Sequence, residues 1–218
     1  MEIFKRHLSF NYFYGFLFLL NLLVLSHFVS YRIVAKPMIM ASLIGCYITN
    51  EKKQNNGFNL AMIAALFGDA FLLFEGIDFF KIGLICFLVM QVLYTYTFYQ
   101  QYVPDAKKLG LTLITLSATA GGVIYTIQDK LGELTVPIII YAIAIVLMAT
   151  SAIMRNPRLK GYRTMIVGVM LFVISDAVLA LKEFGSGTPM LSYIVMITYM
   201  IAQFLIVKSQ LIDSPSAT

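Results

Sequence analysis

The chain has 218 residues, of which 60% are hydrophobic and only 12% are charged, and its formal net charge is +5. A soluble domain is about 45–50% apolar and about 25% charged. This composition, with a mean hydropathy of +0.83, excludes a soluble enzyme, a soluble nucleic-acid-binding protein and a disulfide-rich scaffold.

Long apolar runs alternate with short polar, glycine- or proline-containing connections along the chain. About 20 apolar residues span the hydrocarbon core of a bilayer, and backbone in lipid must satisfy its own hydrogen bonds, which favours helices. The apolar segments cover residues 11–29, 33–49, 58–74, 79–99, 109–127, 135–153, 162–182 and 189–208. We therefore predict an all-α polytopic membrane bundle of eight transmembrane helices in a single domain, residues 1–218.

The first segment follows a basic start, as a signal peptide does. Its apolar run is too long for a signal peptide and no cleavage site of small residues follows, so we expect a retained first helix.

With a cytoplasmic N-terminus, most of the 16 lysines and arginines fall on the cytoplasmic side: Lys5, Arg6, Lys52, Lys53, Lys107, Lys108, Arg155, Arg158, Lys160, Arg163 and Lys208.

This charge bias predicts that both termini are cytoplasmic. It also explains the basic composition without a nucleic-acid partner. The predicted location is an integral multi-pass membrane protein, in the inner membrane if the chain is bacterial.

The second helix opens with Lys36 and Pro37. Proline suits the first turn of a helix, which places Lys36 at the outer start of this helix. Two interpretations of Lys36 stay open: the side chain extends to the outer interface, or it faces inward as a cation toward an acid or a substrate phosphate.

Asp69 in the third segment and Asp176 in the seventh are the carboxylates that fall inside predicted helices. An acid in hydrocarbon costs a few kcal/mol and usually marks a functional interior. Each follows a small residue, Gly68 or Ser175, where a helix or a ligand can approach closely. The alternative is a structural polar pair that holds helices together.

Helices four, six and eight contribute further polar candidates. Gln91 and Tyr94 are three residues apart and share one face of helix four, and Tyr199 and Gln203 share a face of helix eight. Tyr141 lies near the outer end of helix six, where a tyrosine is either part of a site or a residue of the interfacial aromatic belt.

The sequence lacks the residues that several kinds of catalytic site require. His7 and His27 are the two histidines, too few for a histidine zinc site, and no nucleophile elbow or phosphate-binding loop occurs. Cys46 and Cys86 lie inside apolar runs and are typical of core residues. The remaining chemistry is carboxylic acid–base catalysis, for which no metal or organic cofactor is expected.

The order and spacing of these short motifs resemble the YhhN family, the lysoplasmalogenase-like multi-pass membrane proteins. The resemblance covers nearly the whole chain and rests on Lys36-Pro37, Gly68-Asp69, Phe87 to Tyr94, Tyr141 to Met148, Leu171 to Asp176 and Tyr199 to Gln203. It implies hydrolysis of the vinyl ether bond of lysoplasmalogens, giving a fatty aldehyde and a glycerophospho-ethanolamine or -choline.

A lysophospholipid substrate in contact with membrane lipids is therefore expected. Paired carboxylates serve the related oxocarbenium chemistry of glycosidases, so we predict Asp69 and Asp176 as catalytic residues. The residues predicted to bind and orient substrate and water are Lys36, Gln91, Tyr94, Tyr141, Tyr199 and Gln203.

One position departs from the family pattern, because the helix-four motif carries a histidine where this chain has Gln91. If that histidine is catalytic, the chain is impaired or has another substrate, since glutamine does not shuttle protons at neutral pH. If the histidine only donates or accepts hydrogen bonds, Gln91 replaces it.

A rival interpretation is a lipid-binding protein or transporter whose aspartates bind protons or cations. Aligning Asp69 with Asp176 suggests a weak parallel repeat, residues 1–105 and 106–218, which suits a transporter but is equally explained by chance. A purely structural membrane protein is a third interpretation, and the oligomeric state is left open.

Overall fold

The computed structural model describes residues 2–27, 32–51, 54–185 and 187–213. This part of the chain forms eight α-helices and no strand, which confirms the all-α prediction. The helices are α1 (Glu2–His27), α2 (Arg32–Asn50), α3 (Asn56–Phe71), α4 (Ile77–Tyr99), α5 (Ala106–Ile127), α6 (Thr135–Ile153), α7 (Tyr162–Phe184) and α8 (Pro189–Asp213).

Five helices, α4 to α8, are long and apolar enough to cross a membrane, within the ranges that the structure describes. The apolar part of α1 is shorter, Asn11–Leu25, and α3 has 16 residues. At 1.5 Å per residue α3 is about 24 Å long, less than the ~30 Å hydrocarbon core. Eight spans and cytoplasmic termini therefore stay predictions.

Several helix bounds differ from the predicted segments, and three of the differences have a local reason in the sequence. α1 begins at Glu2, well before the apolar run, because neither glycine nor proline interrupts residues 2–10. α3 ends at Phe71, earlier than predicted, and the chain turns through Gly76, whose φ of 118° suits glycine.

The third difference is in α2, which begins at Arg32, so Pro37 lies inside the helix and the prediction of a first-turn proline is wrong. Proline is tolerated within membrane helices because neighbouring groups satisfy the freed backbone. Lys36 consequently belongs to the second turn of α2, one turn deeper than its predicted place at the start of the helix.

Small residues let the helices of two pairs approach closely. A Cβ added at Gly168 of α7 would lie 3.0 Å from the backbone nitrogen of Ile206 in α8, and one added at Gly68 of α3 would lie 2.7 Å from the ring of Phe87 in α4. These contacts fix α7 against α8 and α3 against α4. On the far side of α8, the Tyr14 hydroxyl of α1 donates to the Met200 carbonyl at 2.7 Å.

Consecutive helices do not always pack together. α4 packs against α3 and α6, and α5 packs against α6 and α7, whereas α4 and α5 make little contact with each other in the described part of the chain. A gap, which we call the seam, therefore separates α4 from α5.

A buried ion pair closes one end of the bundle, where α4, α6 and α8 end and α7 begins. Arg155 is fully buried and its guanidinium lies 2.8 Å from the Asp213 carboxylate. Gln101 accepts from Arg155, and Gly161 donates its backbone N–H to Asp213 at 2.7 Å. Burial lowers the pKa of Arg155, and the Asp213 carboxylate opposes that shift.

Candidate active site

A polar chamber of about 710 Å³ opens at the end of the bundle opposite the Arg155–Asp213 pair. It lies among α2, α3, α7, α8 and the start of α4. Its polar lining consists of Lys36, Asp69, Glu75, Ser175, Asp176, Lys182, Glu183, Ser192 and Tyr199. Both predicted catalytic aspartates thus face one cavity, although they come from helices far apart in sequence.

Asp69 stands in the last turn of α3 and is 1% exposed. The Lys36 ammonium lies 3.2 Å from its Oδ1, and the Tyr199 hydroxyl donates to its Oδ2 at 2.7 Å. An opposite charge and a hydrogen bond both favour the ionised form of a carboxyl group. Asp69 therefore has a cation at one carboxyl oxygen and a hydroxyl donor at the other.

Asp176 has different surroundings. The Tyr141 hydroxyl of α6 donates to its Oδ2 at 2.5 Å, and no lysine or arginine of the described residues forms an ion pair with it. The preceding Ser175 donates to the Val195 carbonyl of α8 at 3.1 Å, which holds this turn of α7 against α8. Two carboxyl groups in one chamber thus have unlike partners.

An apolar groove adjoins the chamber between α4 and α7. It runs between α4, α5, α6 and α7, holds about 100 Å³ and is lined almost entirely by hydrocarbon side chains. Asp176, Phe80 and Phe87 line both the chamber and the groove. Asp176 consequently stands at the junction of a charged space and an apolar one.

The remaining predicted residues lie elsewhere. Tyr141 lines the groove, whereas Gln91, Tyr94 and Gln203 are fully buried and line neither space. The Tyr94 hydroxyl donates to Gln203 Oε1 at 3.3 Å. The amide of Gln91 has no hydrogen-bond partner among the described residues.

These three side chains lie one or two helical turns beyond Phe87 and Tyr199, which line the chamber. Helical spacing places Gln91 four residues after Phe87 on the same face, and the Phe87 ring meets that of Tyr199 edge-on. Phe87 therefore lies one turn nearer the chamber than Gln91.

Neither the groove nor the charged residues Glu75, Lys182 and Glu183 of the chamber lining are among the features predicted from the sequence. Groove residues such as Leu84 and Val123 have the composition of lipid-facing positions, so nothing in the sequence separates them from the outer surface. Glu75 and Glu183 fall between the predicted segments and Lys182 falls at the end of one, where charges are ordinary.

The site suits acid–base chemistry on an amphiphilic molecule. Two carboxyl groups with unlike partners are the arrangement in which one acts as acid and the other as base. In the part of the chain that the structure describes, no three histidine, cysteine, aspartate or glutamate side chains converge as metal ligands would.

Comparison with known proteins places the chain in a family. The sequence model of the YhhN family matches residues 31–210. The chain is 30% identical over 156 residues to the protein named lysoplasmalogenase TMEM86A from Homo sapiens, and 28% identical to that from Bos taurus. Each match covers 69% of this chain and 63% of the relative.

The chain thus spans somewhat less than two thirds of the length of these curated relatives. No solved structure matches it. With five helices able to cross a membrane, the protein is an integral multi-pass membrane protein. Because the family match covers most of its residues, the chain belongs to the YhhN family.

Proposed function

We propose that the protein is a membrane-embedded hydrolase that cleaves the vinyl ether bond of lysoplasmalogens, releasing a fatty aldehyde and a glycerophospho head group. The observation that carries this proposal is the position of Asp176, which lines both the polar chamber and the apolar groove. A vinyl ether bond lies at the same kind of junction, between the polar head and the hydrocarbon tail of its lipid.

In this proposal the polar chamber and the apolar groove hold different parts of the substrate. The head group lies in the chamber, where lysines can meet its phosphate and Glu75 or Glu183 can meet an amine. The tail lies in the groove, among side chains that are mostly apolar. The names of the two curated relatives, both lysoplasmalogenases, support this choice of substrate.

Asp176 is the proposed acid, since Lys36 pairs with Asp69 and no lysine or arginine of the described residues forms an ion pair with Asp176. It gives a proton to the β-carbon of the vinyl ether, which leaves an oxocarbenium-like cation. The carboxylate of Asp69 then removes a proton from the water that bonds to the cationic carbon, and a hemiacetal forms.

Breakdown of the hemiacetal restores both groups. Asp69, now protonated, gives its proton to the departing glycerol oxygen as the C–O bond breaks. The Asp176 carboxylate takes the proton of the hemiacetal hydroxyl, and the aldehyde is released. Lys36 and Tyr199 hold Asp69 in place through each step.

This mechanism assigns no proton transfer to Gln91, which lines neither space. Its side-chain amide is buried and makes no hydrogen bond within the described part of the chain. A glutamine in place of the family's histidine is therefore compatible with activity in this proposal.

The test is release of fatty aldehyde from a lysoplasmalogen by purified protein, beside Asp69→Asn and Asp176→Asn. Each variant should lose roughly a hundredfold or more in rate, as expected when a positioned acid or base is removed. Asp78→Asn is the matched control, because Asp78 is exposed in the first turn of α4 and lines no part of the chamber.

Near-wild-type rates in both asparagine variants would overturn the mechanism. If the folded wild-type protein retains bound lipid but releases no aldehyde, a lipid-binding or transport role replaces the proposal.

A further inference from the structure

The apolar groove has two walls that do not meet. α4 contributes Phe80, Leu84 and Phe87, and α5 contributes a row of residues that includes Thr119, Ala120 and Val123. These consecutive helices make little contact with each other in the described ranges, although both pack against α6. The groove is therefore bounded on this side by the seam between α4 and α5.

The outer faces of both helices are apolar and exposed. On α4 they include Ile85 and Val92, which are more than half exposed, and on α5 Leu111 and Ile114, which are about 70% exposed. Both helices are long and apolar enough to cross a membrane. The seam thus opens toward lipid hydrocarbon and not toward water.

The groove is also small for a whole lipid tail, at about 100 Å³. A tail that starts beside Asp176 would fill the groove and extend beyond it. The seam is the direction in which a tail meets hydrocarbon instead of packed protein, because Leu116 and Ile145 close the inner end as buried side chains.

We infer that the seam between α4 and α5 is a lateral portal, through which the tail of a single-chain ether phospholipid passes from the bilayer into the groove. This inference rests on the proposed function and adds the route of entry to it. The substrate then reaches Asp176 without leaving the membrane. Part of its tail stays among the lipid tails throughout the reaction.

The portal is tested by a substitution that places one larger side chain in it. Ala120 lines the groove, while Ala118 lies two residues away on the exposed surface of α5 and does not. Ala120→Phe should obstruct the passage of a tail, and Ala118→Phe adds the same ring to the lipid side as the matched control.

Rates are measured with a long-chain lysoplasmalogen in phosphatidylcholine vesicles and with a short-chain, water-soluble analogue. In Ala120→Phe the ratio of the two rates should fall about tenfold or more, as steric exclusion from an apolar pocket allows. Ala118→Phe should keep the wild-type ratio. Ala120→Leu, a smaller obstruction, should give an intermediate ratio and serves if the phenylalanine variant does not fold.

A second readout does not depend on turnover. A single-chain ether phospholipid with a photoreactive diazirine in its tail should label peptides that contain Leu84 or Ala120. Labelling of these peptides without aldehyde release would support the portal and overturn the proposal that the protein is a hydrolase. Aldehyde release with an unchanged rate ratio in Ala120→Phe, or labelling confined to other helices, would overturn the portal and leave the hydrolase standing.

Discussion

At the scale of single residues, the phenol groups beside the two carboxylates carry much of the site's geometry. Tyr199 donates to Asp69 at 2.7 Å and Tyr141 donates to Asp176 at 2.5 Å. Neither tyrosine could be matched to an aspartate from the sequence. The pairing depends on how four helices are placed, and helical spacing describes only one helix at a time.

Tyr199→Phe tests this geometry. The ring still packs against Phe87 and Phe172, while Asp69 loses one donor. A hydrogen bond to a charged group contributes about 1.5–3 kcal/mol, so we expect lower thermal stability and a slower rate. Tyr96→Phe is the control, since Tyr96 is 64% exposed. Equal effects of the two substitutions would show that the bond to Asp69 contributes nothing.

Gln91 provides a prediction of opposite sign. A buried amide without a partner carries a desolvation cost of about 1–3 kcal/mol, and both polar atoms of the Gln91 side chain lack one among the described residues. Gln91→Leu should therefore raise the melting temperature in detergent. Gln203→Leu, which removes the acceptor of Tyr94, should lower it. A loss of stability in Gln91→Leu would contradict the description of its amide as unpartnered.

The candidate site could be predicted in part. A carboxylate in an apolar run is unusual enough to identify Asp69 and Asp176 without a structure, and both line the chamber. Gln91 stands out in the sequence because it is polar in an apolar helix, yet polarity does not show whether a side chain reaches the chamber. Phe87, one turn nearer the carboxylates, appears in the sequence as an ordinary core residue.

At the scale of helices, the approach of α7 and α8 depends on Gly168. A Cβ at this position meets the backbone of α8, at 3.0 Å from Ile206 N and 3.1 Å from the Ala202 carbonyl. Backbone cannot move aside as a flexible side chain can, so the two helices must separate.

Gly168→Ala should consequently destabilise the protein by about 1–3 kcal/mol, the usual cost of overpacking. Gly121→Ala in α5 is the matched control, because its added Cβ meets nothing within 4 Å and alanine favours helix by up to about 1 kcal/mol over glycine. Thermal unfolding in detergent measures both. A Gly168→Ala variant as stable as Gly121→Ala would contradict the close packing.

The helices themselves were largely predictable, since hydrophobic length and backbone satisfaction decide them. α6 has the predicted bounds, Thr135–Ile153. The ends of α1 and α2 were misplaced because their boundaries do not coincide with the change from polar to apolar residues. The seam between α4 and α5 has no signal in either helix, because it depends on where other helices lie.

At the scale of the whole molecule, the Arg155–Asp213 pair joins parts of the chain that are distant in sequence. It links the end of α6 to the end of α8, and its partners Gln101 and Gly161 belong to the connections after α4 and before α7. Removing one member of a buried ion pair typically costs 3–5 kcal/mol.

Arg155→Met should lower stability by about that amount, with Asp213 left buried and unpaired. In the double variant Arg155→Met with Asp213→Leu, part of the loss should be recovered, because no lone charge remains. Lys81→Met, which removes a 3.9 Å pair with the exposed Glu133, is the control and should change little. An additive double variant would show that the two residues act independently.

The dependence of so many helices on α8 also has a consequence for biogenesis. α8 is synthesised after the other seven helices, yet it supplies Tyr199 to Asp69, Gln203 to Tyr94 and Asp213 to Arg155. In a nascent chain that has not yet inserted α8, Asp69 lacks its tyrosine donor and Arg155 lacks its carboxylate partner. Every chain whose synthesis stops before α8 would expose these unpartnered buried groups to membrane quality control. Only the insertion of α8 supplies the missing contacts.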